Sequence, residues 1–335
     1  MKRLKQAILW KKERKGVRCL ACQRKCYLKD REFGFCFARV NLKNKLYMLN
    51  FGKIISADAV PIEKIQVFHF FPGTKTLAII IPGNNMYRDE SIFKDKRKLL
   101  LHGKDYTPEK ISELAKKEGC KSITFLGESP STYFEFAFRT AKFARRLGLK
   151  SIFVTNGLAS PDAIKRLAKY VACFVVKVKA SLDPEYYKKY EGIDVKLIYR
   201  CLRQIGKSRA HVEILNVIIP EVGDNSQYAY ELALWISTNL NTTVPLHFLA
   251  FYPDKKFPDV IPTPVETLEK CISEARRAGL RYVYIGEVPE HPDLNTYCFN
   301  CRELVMRREY YELKENKLVN GRCPKCGMKI DIVED

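Results

Sequence analysis

Residues 77–93 read LAIIIPGNNMYRDESIF, an apolar β-branched run that is followed at once by a polar loop. The chain contains seven such runs, and longer segments with helical signals separate them. They are LAIII (77–81), SITFL (122–126), SIFVT (151–155), CFVVKV (173–178), VEILNVII (212–219), PLHFL (245–249) and YVYIG (282–286). Short buried strands that alternate with helices predict parallel βα units. With this many units, a closed or partly closed barrel is favoured over an open sheet.

Helix start signals support this pattern. Thr107-Pro108 and Ser160-Pro161 each place a capping hydroxyl directly before proline, which suits the first helical position. Thr263-Pro264-Val265-Glu266 adds a glutamate three residues after the threonine and therefore predicts a capping box. Glycines stand where the helices should end, at Gly119, Gly148 and Gly279.

Length and composition indicate a folded protein. The chain has 335 residues, of which 46% are hydrophobic, so it can bury a sizeable core. Its longest apolar runs are far too short to span a membrane, and the first residues lack the apolar core of a secretory signal. We therefore expect a cytoplasmic protein with no membrane partner. CxxC pairs in that compartment hold metal more often than they form disulfides.

Positive charge is concentrated near the N terminus. The net charge is +21, and residues 1–50 contain fifteen Lys or Arg against three acids, a net +12. Such a surface attracts polyanions, chiefly nucleic acid or an anionic membrane. A soluble protein of a heat-adapted cell is the alternative, but glutamate would then rise together with lysine. We predict structured RNA as the partner, with the ribosome or a ribosomal subunit favoured, and the sequence is compatible with a homo-oligomer.

The residues predicted to contact RNA are all basic and lie in three stretches. They are Lys2, Arg3, Lys5, Lys11, Lys12, Arg14, Lys15, Arg24 and Lys25 in the first, Lys96, Arg97 and Lys98 in the second, and Arg145 and Arg146 in the third. No known base-reading motif accompanies them. Recognition of shape and backbone is therefore favoured over base readout.

Two groups of four cysteines predict metal sites. Cys298, Cys301, Cys323 and Cys326 form two CxxC pairs and predict a four-thiolate zinc ribbon with a structural role. Cys19, Cys22, Cys26 and Cys36 form the second group, which could hold zinc or an iron–sulfur cluster. Zinc is preferred there, because a catalytic cluster needs an iron free of protein ligands and a fourth cysteine would fill that position. Two zinc sites are thus expected.

Four stretches of sequence resemble one known family. They are HFLAFYPDKKFPDVIPTPVETLEK (247–270), YVYIGEVPEHPDLNTYCFNC (282–301), the GRCPKCGMKI ending and the N-terminal CLACQRKC with GFC. They resemble the radical SAM enzymes of the AmmeMemoRadiSam system, which are relatives of pyruvate formate-lyase activating enzymes. The resemblance implies an α/β fold with a partial (βα)6 radical-SAM-type TIM barrel over residues 71–290. A basic four-cysteine module (1–70) would precede it and a zinc ribbon (291–335) would follow.

The opening stretch departs from that family. The resemblance implies a CxxxCxxC motif for a [4Fe–4S] cluster directly after Gly83, but Asn84, Arg88 and Ser91 occupy its three positions. None of these side chains equals a thiolate as an iron ligand. Further departures from the family's motifs are Lys177, Ala250, Tyr252 and Ser129-Pro130, whereas Thr155-Asn156-Gly157 is retained.

These departures predict a protein with no cluster at the barrel site and no catalytic residues. The first hypothesis is a non-catalytic radical-SAM-like scaffold that binds structured RNA and regulates translation or ribosome assembly. The second is an enzyme that binds S-adenosylmethionine or a nucleotide and acts on RNA by non-radical chemistry. The third is a cluster-dependent enzyme that uses Cys19, Cys22 and Cys26. The five histidines show no metal-binding spacing and are expected in core or surface positions.

Overall fold

A computed structural model describes residues 4–86, 102–127, 130–309 and 311–334. The chain divides into two compact units. The first comprises Met1–Val60, Lys75–Phe174 and Tyr190–Ala210, and the second comprises Pro61–Thr74, Val175–Lys189 and His211–Asp335. The strand Cys173–Lys179 is divided between them after Phe174.

The strands are numbered in chain order. They are β1 Lys5–Gln6, β2 Trp10–Glu13, β3 Gly16–Cys19, β4 Tyr27–Leu28, β5 Arg39–Leu42, β6 Lys45–Met48, β7 Lys53–Ile54, β8 Ser56–Pro61, β9 Lys75–Ile80, β10 Lys104–Asp105, β11 Ser122–Leu126, β12 Lys150–Thr155, β13 Cys173–Lys179, β14 His211–Ile218, β15 Leu246–Ala250, β16 Val283–Gly286, β17 Thr296–Tyr297, β18 Leu304–Glu309 and β19 Glu312–Asn316.

Seven α-helices lie in the described part of the chain. They are α1 Pro108–Lys117, α2 Phe134–Arg146, α3 Pro161–Leu167, the single turn α4 Pro184–Tyr186, α5 Lys196–Gly206, α6 Ser226–Asn239 and α7 Val265–Arg277. None of them has the length and the apolar composition that a membrane crossing requires.

The first unit contains the beginning of the parallel sheet that the sequence predicts. Strands β8, β9, β11 and β12 lie side by side in that order. β9 and β12 both run parallel to β11, with Leu77 opposite Ile123 and Ile123 opposite Ser151. The parallel arrangement places the carboxyl ends of β9, β11 and β12 at one edge, and the loops that follow them meet there.

The second unit repeats this arrangement. β14, β15 and β16 are parallel neighbours, with Ile214 opposite Leu246 and Leu246 opposite Val283. All seven apolar runs identified in the sequence are strands, which confirms that part of the prediction.

Two of the three predicted helix caps form. The hydroxyl of Thr107 accepts a hydrogen bond from the Lys110 amide, and that of Ser160 accepts one from Ala163. The capping box at Thr263 is wrong. Its hydroxyl is buried, accepts from the Phe251 amide at 2.7 Å and donates to the Ile218 carbonyl at 2.8 Å, so α7 begins without a side-chain cap.

Two small antiparallel sheets form the N-terminal segment of the first unit. One has the order β1-β6-β5 and the other β2-β3-β4. The four cysteines of this segment lie at the end of β3, in the turn between β3 and β4, and in the turn before β5.

Candidate metal centres and nucleic-acid surface

The N-terminal cysteines converge on one pocket in the first unit. Cys19, Cys22, Cys26 and Cys36 all line it. The rest of its wall includes Asn85, from the loop after β9, and Ser131 and Thr132, from the 3₁₀ turn before α2. The four cysteines therefore lie beside the carboxyl ends of the first strands of the sheet.

Backbone pairing holds the cysteine segment against this edge. Cys22 forms a β-bridge with Ala159, which follows β12. The amide of Gln23 donates to the Leu158 carbonyl at 2.9 Å, and the Ser160 amide donates to the Ala21 carbonyl at 3.1 Å. Because backbone groups make these bonds, the position of Cys22 relative to β12 is fixed by the fold.

Three of these cysteines accept backbone hydrogen bonds from the residue two places ahead. The donors are Ala21 for Cys19, Arg24 for Cys22 and Ala38 for Cys36. N–H donors directed at sulfur stabilise a thiolate and are typical of metal-binding knuckles. Burial nevertheless raises the pKa of Cys19 and of Cys36 to about 12, so a cation or a metal is needed for both to ionise.

Asn85 connects the loop after β9 to the rest of the pocket. It is fully buried, donates to Ser131 Oγ at 2.9 Å and accepts from Asn156 Nδ2 at 3.0 Å. Its side chain also forms a hydrogen bond to Cys22. Asn156 belongs to the retained Thr155-Asn156-Gly157 turn. The Thr155-Asn156-Gly157 turn therefore holds the side chain of Asn85 in the wall of the cysteine pocket.

The loop after β9 offers no thiol at the position where the resemblance places one. Asn84 uses its side-chain oxygen to accept the Met86 amide at 2.7 Å, which closes a local turn. The two remaining positions, Arg88 and Ser91, lie outside the described residues.

Two arginines lie near the pocket. Arg39 is 1% exposed and pairs with Glu135 through two hydrogen bonds of 2.7 and 3.0 Å. Burial opposes its charged form, yet Glu135 raises the pKa of Arg39, so the pair remains ionic. Arg24 donates to the carbonyls of Asn85 and Met86 and lies over the Phe35 ring at 3.8 Å.

The C-terminal cysteines form a compact group that could bind a metal. Cys298 Sγ lies 3.6 Å from Cys326 Sγ, and Cys301 Sγ lies 3.6 Å from Cys323 Sγ. All four sulfurs lie within 4.8 Å of one another. A hydrogen bond from the Met328 amide lowers the pKa of Cys326 to about 6. Among the described residues, this is the single group of three or more potential ligand atoms that close together.

The predicted RNA contacts divide into three classes. Seven side chains are exposed, as the prediction requires: Lys11, Lys12, Arg14, Lys15, Lys25, Arg145 and Arg146. Lys5 is half-buried, and Arg24 is engaged with the loop after β9 as described above. Lys2, Arg3, Lys96, Arg97 and Lys98 lie outside the described residues.

Of the other departures from the family's motifs, Lys177 is exposed on β13, Ala250 is buried at the end of β15, and the Tyr252 hydroxyl donates to the Glu287 carbonyl. Ser129 is outside the described residues.

A buried network in the second unit was not foreseen from the sequence. Glu213 accepts from His247 Nε2 at 2.7 Å, from His211 Nε2 at 3.0 Å and from the amides of Phe68 and His69. Burial opposes its ionisation, but these histidine contacts hold the pKa of Glu213 well below its usual value. The histidines are far apart in sequence, so their spacing gave no signal.

Comparison with known proteins identifies the class. The model of the radical SAM superfamily matches residues 70–233. Across 336 aligned residues, the chain is 34% identical to the uncharacterized protein MJ0808 of Methanocaldococcus jannaschii. The alignment covers 98% of this chain and 100% of the relative. The chain therefore belongs to the same family as this archaeal protein and contains a radical SAM superfamily domain with a mixed α/β sheet.

Solved structures that match part of this chain include a domain of the pyruvate-formate lyase-activating enzyme of Bacteroides vulgatus. It is 19% identical with a TM-score of 0.44, over 49% of this chain and 98% of that domain. SuiB of Streptococcus suis is 18% identical with a TM-score of 0.48, over 66% of this chain and 50% of SuiB.

The expectation of a chain without catalysis is wrong. The superfamily match covers the loop after β9 and the strands around it, and membership of this superfamily indicates an enzyme. The expectation rested on departures from the family's motifs, chiefly at Asn84, Arg88 and Ser91. The N-terminal segment brings four thiols to the same edge of the sheet.

Proposed function

We propose that this chain is a radical SAM superfamily enzyme that acts on a structured RNA, with the ribosome or a ribosomal subunit as the favoured partner. The observation that supports this is the exposed positive charge of the N-terminal segment that carries Cys19, Cys22, Cys26 and Cys36.

The charge of this segment is on its surface. Between residues 4 and 50, the exposed cations are Lys11, Lys12, Arg14, Lys15, Lys25, Lys29, Arg31, Lys43 and Lys45, whereas the exposed acids are Asp30 and Glu32. Contacts with phosphates supply most of the affinity of such surfaces for RNA. Lys25 lies between Cys22 and Cys26 in the sequence, so phosphates bound here would lie close to the cysteine pocket.

The cofactor implied by the fold has no fitting ligand at Asn84. That side chain is an amide already used to close a turn, and an amide oxygen is a poor ligand for an iron–sulfur cluster. We therefore derive no reaction step through a cluster held by the loop after β9. An enzyme that binds S-adenosylmethionine or a nucleotide and uses non-radical chemistry on RNA is the second candidate, and the Asn84 turn is what favours it.

We further propose that Cys298, Cys301, Cys323 and Cys326 hold a structural zinc. With Zn–S bonds of about 2.3 Å, a tetrahedral site separates its sulfurs by about 3.8 Å. The 3.6 Å separations of both cysteine pairs are close to that value. Four thiolates leave no open position, which suits a structural site better than a catalytic one.

Co-sedimentation with ribosomal subunits across a salt series tests the RNA partner. Several phosphate contacts should cause binding to fall steeply between about 50 and 200 mM salt. The charge-reversal pair Lys11→Glu and Lys12→Glu should weaken binding and reduce the salt slope by about 1 for each contact removed.

The matched control is Lys116→Glu with Lys117→Glu on α1, where Glu113 and Glu118 already offset the lysines. Equal losses in both double variants would point to general charge attraction and contradict a surface on the N-terminal segment. Binding that does not depend on salt would contradict an RNA partner altogether.

A further inference from the structure

We propose that Cys19, Cys22, Cys26 and Cys36 hold a [4Fe–4S] cluster at the edge of the sheet where the loop after β9 supplies no thiol. The resemblance implies a cluster on that loop, and the structure instead brings four thiols to the loop from the N-terminal segment. This inference does not depend on the RNA partner.

The spacing of the sulfurs favours a cluster over a single zinc ion. The C-terminal cysteines show the spacing that one ion requires, with all four sulfurs within 4.8 Å of one another. No group of three sulfurs among the N-terminal cysteines meets that limit, and a pocket lies between them. A cluster needs this wider spacing, because irons and bridging sulfides lie between the cysteine sulfurs.

The pocket also provides the hydrogen bonds that cluster ligands need. Backbone amides of Ala21, Arg24 and Ala38 donate to Cys19, Cys22 and Cys36. Hydrogen bonds to ligand sulfurs stabilise the thiolates and set the reduction potential of a cluster.

The charges around the pocket suit an anionic cluster. The buried guanidinium of Arg39 interacts electrostatically with Cys19 and Cys36, and that of Arg24 interacts with Cys22, Cys26 and Cys36. Because Arg39 is fully buried, its field is poorly screened by water, although the adjacent carboxylate of Glu135 offsets part of its charge.

Asn85 is the positioning residue of this site. It lies one place after Asn84, and its amide is held by Ser131 and Asn156 while it bonds Cys22. In the resembled family the loop after β9 would carry the cluster ligands. Here that loop instead contributes a hydrogen bond from Asn85 to Cys22, a ligand that belongs to the N-terminal segment.

Anaerobic reconstitution of the full chain with iron and sulfide tests the site. We expect about four irons per chain, the broad visible absorbance of a cluster and a Mössbauer spectrum typical of [4Fe–4S]. Zinc alone at these cysteines, with no iron taken up, would overturn the proposal.

Variants separate the two metal sites. Cys22→Ser with Cys26→Ser should abolish iron uptake and leave the zinc content unchanged, whereas Cys298→Ser with Cys301→Ser should do the reverse. Iron uptake that persists in the first variant, or is lost in the second while circular dichroism shows a folded first unit, would contradict the assignment.

Asn85→Leu keeps every ligand and so tests the site even if the cysteine variants fail to fold. Removing its hydrogen bond to Cys22 should shift the reduction potential of the cluster to more negative values. Asn85→Asp, which replaces the donor by an anion, should shift it further in the same direction. A potential that is identical in all three proteins would contradict the role of Asn85.

Discussion

At the scale of single residues, the stability of the first unit should be sensitive to the loss of either partner of the pair Arg39–Glu135. Both side chains are almost completely buried, and Glu135 also accepts the Ile8 amide at 2.8 Å. Removing one partner of such a pair leaves an uncompensated buried charge, so Glu135→Gln should lower the free energy of unfolding by about 3–5 kcal/mol. Urea denaturation of the purified chain measures this loss.

The control for this prediction is the double variant Arg39→Met with Glu135→Leu, which removes both charges. It should be more stable than Glu135→Gln, because no buried charge is left without a partner. A single variant that loses less than about 1 kcal/mol would show that the pair contributes no more than a surface ion pair does.

His69 should make the stability of the second unit depend on pH. Its Nδ1 lies 2.7 Å from the Asp331 carbonyl and its Nε2 lies 2.6 Å from the Tyr284 hydroxyl, so Nδ1 carries the proton and Nε2 accepts. Burial lowers the pKa of His69 from 6.5 to about 3. Between these values the unfolded chain binds a proton that the folded chain does not, so stability falls as pH falls below 6.5.

The expected contribution of His69 to this slope is at most about 1.4 kcal/mol per pH unit. His69→Asn preserves a donor toward Asp331 and removes the titrating group. This variant should be less stable at neutral pH, and its stability should fall less steeply between pH of about 6 and about 4. Parallel pH curves for the two proteins would contradict the prediction.

At the scale of elements, Gly83 fixes the path of the chain after β9. Its φ is +150°, and a Cβ added there would lie 2.1 Å from Thr132 Oγ1 in the turn before α2. Gly83→Ala should therefore combine backbone strain with overpacking, a loss of about 2–5 kcal/mol, and reduce metal uptake by the neighbouring pocket.

Gly119→Ala after α1 is the matched control. This glycine also has a positive φ, +68°, but nothing lies within 4 Å of an added Cβ. Only the backbone strain of about 1–2 kcal/mol should remain, with metal uptake unchanged. Equal losses of unfolding free energy in both variants would show that Thr132 moves away from the added Cβ without destabilising the fold.

The sequence predicts elements well where the signal is local. Apolar runs mark the strands because burial on both faces leaves little room for polar residues, and the hydroxyls of Thr107 and Ser160 cap the helices that follow them. Thr263 has the same local signal but bonds Phe251 and Ile218 instead. These two partners are distant in sequence, so the local pattern could not show that the Thr263 hydroxyl would bond them instead of capping α7.

At the scale of the whole molecule, the cysteine pocket could be predicted only in part. The spacing of Cys19, Cys22, Cys26 and Cys36 predicts a metal site, but it does not show that the site faces Asn85, which lies 49 residues after Cys36. The β-bridge between Cys22 and Ala159 helps to hold the cysteine segment beside that loop. The sequence pattern therefore identified the candidate metal ligands, whereas the fold determined that they lie next to the loop after β9.

Metal removal should distinguish the roles of the two cysteine groups across the molecule. Cys298 directly follows β17 and Cys323 lies after β19, so a zinc bound there would close the chain around β18 and β19. Because binding free energy of a structural metal is folding free energy, a zinc chelator should strongly reduce the hydrogen-exchange protection of β17, β18 and β19. β14 and β15, whose parallel pairing involves no cysteine, should retain most of their protection. Unchanged exchange in β17–β19 after complete zinc removal would mean that packing alone holds this sheet and that the metal has another role.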